Sequence, residues 1–123
     1  MNKRYLKTAA LLGLTAVMLG AFGAHGLKKI ALPEAVESFK TGVLYHFLHA
    51  FAILVTAFFM EKLVFKKARI ALLLWVIGIV VFSGSLYVMA LIPETKSILG
   101  PITPIGGLSL MAGWFFLFLS VEN

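Results

Sequence analysis

The sequence contains no cysteine. Disulfides, thiolate metal sites, iron–sulfur clusters, thiol nucleophiles and a lipidated cysteine anchor are therefore excluded. Charge is also scarce. Only 13% of the 123 residues are charged and five are acidic, whereas soluble domains carry about 25% charged residues. None of the five carboxylates (Glu34, Glu37, Glu61, Glu94, Glu122) falls inside a long apolar run. A residue buried in such a run has no carboxylate beside it to orient a histidine or complete a metal set.

What the chain has instead is apolar residues, 61% of the total. At this length there is room for one domain, and a soluble domain this small cannot bury so much apolar surface, whereas a bilayer can accept it. Four runs stand out, at about 6–24, 41–60, 70–92 and 104–121. Each is close to the ~20 residues a helix needs to cross a hydrocarbon core about 30 Å thick. A membrane β-barrel would show alternating segments of about ten residues, and these runs are continuous. The pattern predicts an all-α integral membrane protein, with four transmembrane helices in a compact bundle and residues 1–123 as a single domain. The first run begins like a signal peptide, with basic residues in Met1–Lys7 and small ones at Ala21–Ala24. Its apolar core is nevertheless longer than the 7–15 residues of such a peptide. Gly13, Ala16, Gly20 and Ala24 line one helical face, with Gly23 beside them, as a surface for close packing against another helix. A retained span is expected.

The formal charge of +6 does not form the basic stripe on a polar surface that nucleic-acid binding needs. Lys3, Arg4 and Lys7 precede the first run, and Lys62, Lys66, Lys67 and Arg69 separate the second from the third. Lys28, Lys29, Lys40 and Lys96 lie on the other side. Seven basic residues against four place both termini in the cytoplasm by the positive-inside rule. In the first outer loop, Pro33 with Glu34 and Glu37 marks a helix start, and Leu32, Val36 and Phe39 form one apolar stripe. Two arrangements fit these residues: a short amphipathic helix at the interface that bends near Gly42, or a plain extension of span two. Thr103 and Pro104 read as N-cap and first residue of span four.

Polar side chains gather on the outer side. His25 ends span one, and Tyr45, His46 and His49 lie early in span two. Ser83, Ser85 and Tyr87 lie late in span three, and Thr103, Gly106 and Gly107 open span four. On span two, Gly42, Tyr45, His46, His49 and Thr56 share one arc at 100° per residue, with Leu44, Phe51 and Phe58 opposite. The first arc should face the bundle, because polar groups in hydrocarbon turn inward. These residues form a candidate pocket.

Several chemistries fit it. His46 and His49, at i and i+3, can point at one metal or haem-sized ligand, with His25 as a third candidate, but no HExxH-type pattern is present. The same histidines can simply hydrogen-bond Tyr45, Tyr87, the serines or the backbone, or relay protons. Ser83 and Ser85 lack the carboxylate-oriented histidine of a nucleophile, and serines in membrane helices usually bond across helices or to their own backbone. Gly106 and Gly107 can expose N–H groups to an anion or pack tightly against span one. Trp75 and Trp114, with Tyr5 and Phe115–Phe118, read as lipid-facing or interfacial aromatics.

The segments Gly20-Ala21-Phe22-Gly23-Ala24-His25-Gly26-Leu27, Tyr45-His46-Phe47-Leu48-His49-Ala50, Phe82-Ser83-Gly84-Ser85-Leu86-Tyr87, Ile102-Thr103-Pro104-Ile105-Gly106-Gly107 and Gly113-Trp114 also carry a resemblance. Together and in order, they resemble the domain of unknown function 423 family. These are small bacterial inner-membrane proteins, similar to the eukaryotic transmembrane protein 256 group. The resemblance implies four spans in a bacterial cytoplasmic membrane and brings no activity or cofactor with it. The functional expectation is a non-enzymatic protein whose outer pocket takes a small or lipidic ligand or supports membrane assembly, in a homo-oligomer or alone. A transporter or channel subunit and a metal- or haem-binding protein or enzyme are the alternatives.

Overall fold

Apolar runs bounded by basic residues become helices because lipid offers no partner for backbone N–H and C=O groups, so each span must satisfy its own. The computed structural model describes residues 2–122. Helix α1 covers Lys3–Ala24, and a 3₁₀ turn at Leu27–Lys29 leads to α2, Pro33–Phe58. A second turn, Met60–Lys62, precedes α3 at Phe65–Gly78; a π-helical segment, Ile79–Ser83, joins it to α4 at Gly84–Leu91. These last three make one span of 27 residues, Phe65–Leu91. A turn at Pro93–Thr95 and the short α5, Lys96–Leu99, lead to α6, Thr103–Ser120. Among the described residues there is no strand. The protein is an all-α membrane protein of four transmembrane helices.

The first outer loop resolves the two arrangements its residues allowed. There is no bend near Gly42: α2 runs unbroken from Pro33. Its first turns carry Glu34, Glu37 and Lys40 on exposed positions, and Glu37 and Lys40 lie 3.7 Å apart. Val36 and Phe39 turn inward, where they pack with Leu27 and Ala90, while Leu32 stays 71% exposed. Thr103 is likewise not an N-cap. It already belongs to α6, and its hydroxyl donates to Leu99 O four residues back at 3.2 Å.

Helix α1 packs on α2 and α3 on α6, while α2 joins the pairs through the π segment and α4. Both described ends of the chain meet the α2–α3 turn at one end of the bundle, where Val64 N–H donates to Ser120 O at 2.8 Å. This is the terminal end; the first loop and residues 92–102 form the distal end. Along α2 and the turn that follows it the core falls into layers. Val36 and Phe39 belong to a distal apolar cluster, and Ile53, Ala57 and Met60 to a larger one near the terminal end, with Leu72 and Trp75. Gly42, His46 and His49 lie between them, all buried, over roughly 10 Å of helix rise.

The outer surface is what lipid requires. Leu11, Leu14, Val17 and Met18 on α1 and Leu44, Phe51 and Phe58 on α2 are each more than half exposed, an apolar belt that a soluble monomer does not carry. The small-residue face of α1 meets α2, with one exception. Ala16 is buried, and a methyl at Gly23 would lie 2.9 Å from the Phe39 ring and one at Gly20 3.3 Å from Val43. Ala24 is only half-buried. At Gly13 an added methyl meets nothing within 4 Å, so this glycine is not part of the packing surface. Gly13→Ala is therefore expected to stabilise the protein by about 0.5–1 kcal/mol through helix propensity, read as a higher midpoint of thermal unfolding in detergent.

Candidate functional site: a histidine network between two apolar clusters

Helical spacing puts His46 and His49 on the same buried arc of α2, and each finds two partners on other atoms of the protein. His46 Nδ1 lies 2.8 Å from the Tyr87 hydroxyl and Nε2 lies 3.2 Å from Thr15 Oγ1. The single Thr15 hydroxyl proton goes to Leu12 O at 3.0 Å, so Nε2 must be the donor to Thr15. Nδ1 then accepts from Tyr87. His49 takes the opposite tautomer. Its Nδ1 donates to Tyr45 O at 2.7 Å, a carbonyl that can only accept, and its Nε2 accepts the Trp114 indole N–H at 3.0 Å. In both rings the lone pair a metal would need is already occupied. Among the described residues no three or more His, Asp or Glu side chains gather in the way a metal site requires.

Around His49 the rings close. Trp75 and Trp114 approach it edge-on at 6.3 and 5.9 Å, and they meet each other at 4.9 Å. Trp75 is fully buried, not lipid-facing, because Gly113 leaves room for it: a methyl there would sit 2.5 Å from Trp75 Cδ1. Trp114 exposes about half of its surface (48%) yet turns its N–H inward. Tyr5 is likewise buried, and its hydroxyl accepts Arg69 Nε at 3.2 Å. Phe115 and Phe118 do face outward, at 53% and 68% exposure. Tyr45 sits at the margin of the arc: its carbonyl joins the network, while its ring covers Phe82 and stacks along His49.

The serines cluster at the π segment. A π turn admits an extra residue and disturbs the i→i−4 ladder; here Gly84 N–H reaches back to Ile79 O. Ser83, fully buried, donates to Gly42 O across the helix pair at 2.7 Å. Ser85 donates to Phe82 O at 2.8 Å and lies 2.6 Å from Thr103 Oγ1. Gly42 lets α4 approach α2, since a methyl there would lie 3.0 Å from the Tyr87 ring. Gly106 presses on the backbone of Phe82, with Gly107 beside the Phe82 ring. These two glycines pack on span three, not on span one. Neither serine has a histidine partner of the kind a nucleophile needs.

The candidate residues thus divide. His46 meets Tyr87 and Ser85 meets Thr103, whereas His49 bonds to Tyr45 O and Trp114 and Ser83 to Gly42 O, with Gly106 and Gly107 packed on Phe82. His25 does not join them. It is exposed, and its backbone N–H ends α1 on Phe22 O. Thr15 and Trp114 are members that the sequence reading missed. Ser109, also missed, ties α6 to α3 through Leu74 O at 2.7 Å. Ser109→Ala is expected to lower stability by about 0.6 kcal/mol, the average for hydrogen bonds between membrane helices, measured by denaturant unfolding in micelles.

Fold and site together define a small four-span membrane protein with a buried polar layer, held by hydrogen bonds except at Trp75 Nε1, which among the described residues has no partner. Residues 19–107 match the family described as protein of unknown function (DUF423). The chain is 42% identical over 118 residues to a UPF0382 membrane protein of Haemophilus influenzae, covering 95% of this chain and 92% of the relative. It is 40% identical to the UPF0382 membrane protein YwdK of Bacillus subtilis, covering 94% and 93% of the two chains. With the UPF0382 inner membrane protein YgdD of Escherichia coli (strain K12) it shares 38% identity, over 86% of this chain and 79% of that one. No solved structure matches it. The chain belongs to this family of membrane proteins.

Proposed function

We propose that this protein works by binding and not by covalent chemistry: a non-enzymatic inner-membrane protein whose central histidine layer locks the bundle, and whose ligand contacts lie at the membrane interfaces. The observation that carries this reading is the double engagement of each imidazole. Every ring nitrogen of His46 and His49 is held by a protein partner. A metal, a haem or a nucleophilic serine would first have to displace one of them. The test is native mass spectrometry of the detergent-extracted protein, with an optical spectrum and elemental analysis of the same sample. A bare polypeptide, less stable after His46→Ala or His49→Ala, is the expected result. A stoichiometric metal or haem that disappears with those substitutions overturns it.

The terminal end, with seven of the eleven basic residues, faces the cytoplasm in this reading. Because the chain has no cysteine, single cysteines report orientation without background. Ser97→Cys, exposed at the distal end, should react with a membrane-impermeant maleimide in intact cells. Lys67→Cys, exposed at the terminal end, should react only after permeabilisation. The opposite pattern reverses the orientation.

A further inference from the structure

At the terminal end, well away from the histidine layer, the start of α1, the α2–α3 turn and the start of α3 line an open cavity of about 680 Å³. That size falls within the about 300–1,000 Å³ of small-ligand sites. Three cations, Lys3, Arg4 and Arg69, and one carboxylate, Glu61, line it, which leaves a net charge of two positives on the wall.

One of those cations is held in place from within. Tyr5 is buried, only 9% exposed, and its hydroxyl takes the Nε–H of Arg69. Ordering a long arginine side chain costs rotamer entropy, and here the protein has met part of that cost before any ligand arrives. The bond occupies Nε and leaves the paired Nη groups, the planar fork that matches two oxygens of a phosphate. Lys7, Lys62, Lys66 and Lys67 add four positive charges on the same segments of the chain. Arg69 stands four residues after the first residue of α3, about 6 Å along the helix, in the first turns of that span.

From this geometry we propose that the cavity binds a phosphate-bearing anion, with Arg69 as the oriented fork and Arg4 and Lys3 as supporting charges. The ligand is either the headgroup of an anionic phospholipid or free phosphate. The proposal rests on reading the protein as a binder, and it names the ligand class of one interface. Basic pockets between membrane helices on the cytoplasmic side are suited to such headgroups, and each basic residue near an anionic surface contributes a factor of about five to binding.

The full chain in detergent is titrated with phosphatidylglycerol, with phosphatidylcholine and, separately, with inorganic phosphate, following bound mass and thermal midpoint. Wild type should retain phosphatidylglycerol over phosphatidylcholine. Arg4→Gln, at an exposed position, should weaken that retention about five-fold, and Arg69→Gln more. Arg69→Lys should rescue only part of it, and Tyr5→Phe should weaken it with net charge unchanged, a change bulk electrostatics does not produce. Lys28→Gln at the distal end should leave it as it is. A preference for phosphatidylglycerol that falls in the Arg4 and Arg69 variants supports the lipid source. Stabilisation by inorganic phosphate alone, lost in the same variants, supports free phosphate. No preference in the wild type, or one untouched by Arg4→Gln and Arg69→Gln, overturns the site. The wild-type spectrum separates this failure from that of the binder reading, because a resident metal or haem bound through the histidines sinks the latter and leaves the phosphate titration intact.

Discussion

Gly106→Ala is expected to lower the unfolding free energy by about 2 kcal/mol or more, the upper part of the range for overpacking a well-packed core. The added methyl would lie 2.7 Å from Phe82 Cα and 2.8 Å from Phe82 Cβ, and no Cβ sits so close to its neighbours without something moving. Backbone atoms cannot swing aside as the end of a side chain can. Two opposing effects decide the sign. Alanine in a helix gains up to about 1 kcal/mol over glycine, and at Gly13, where the space is open, that gain is all there is. At Gly106 the methyl must push α6 off the π segment, which separates Ser85 from Thr103, now 2.6 Å apart. Thermal unfolding of the two variants side by side checks the argument: opposite signs are expected from the same chemical change. Equal shifts would mean that α6 and the π segment are not in backbone contact in the membrane.

The parts of this fold that were legible in the sequence depend on local composition alone. The four apolar runs close within two residues of their helices' last residues because lipid solvation acts residue by residue, although α2 begins at Pro33, eight residues before its run; the outward Leu44, Phe51 and Phe58 follow from helical period. What could not be read was register between helices. Whether His49 meets a serine or a tryptophan depends on how α6 rotates against α2, and that rotation is set by glycines. Gly113 and Gly78 make the space in which Trp75 and Leu110 are buried, so an aromatic that composition assigns to lipid becomes core. Thr15 and Ser109 did leave a signal. Each is a hydroxyl isolated in an apolar run, and a polar group at that depth turns towards a partner. The π segment leaves none, since Ile79-Val80-Val81-Phe82-Ser83 reads as ordinary helix. Ser85 reaches one of its carbonyls, Phe82 O, whereas Ser83 at its end reaches Gly42 O on α2.

His49→Ala is expected to cost about 3 kcal/mol, within the 2–5 kcal/mol of large-to-small core substitutions, and the composition of that loss separates a lock from a ligand site. Removing the ring leaves a void beside the Trp75–Trp114 pair, and it leaves the Trp114 N–H without its acceptor at a depth where lipid supplies none. An orphaned buried donor costs about 1–3 kcal/mol; measured hydrogen bonds between membrane helices average about 0.6 kcal/mol and reach about 1.7, so cavity and aromatic contacts carry most of the remainder. Trp114→Phe isolates the hydrogen bond, because it keeps an aromatic ring and removes the donor. In a double-mutant cycle the His49–Trp114 coupling should fall at about 0.5–1.5 kcal/mol. His49→Gln should recover part of the stability, because its amide can donate to Tyr45 O and accept from Trp114 at once. A cofactor site behaves otherwise: its stability would depend on loading with metal or haem, and glutamine would recover little. A coupling near zero, or a His49→Ala protein as stable as wild type, would remove the histidine layer as the element that holds the bundle. The packing of Gly106 and Gly113 would then carry the fold alone.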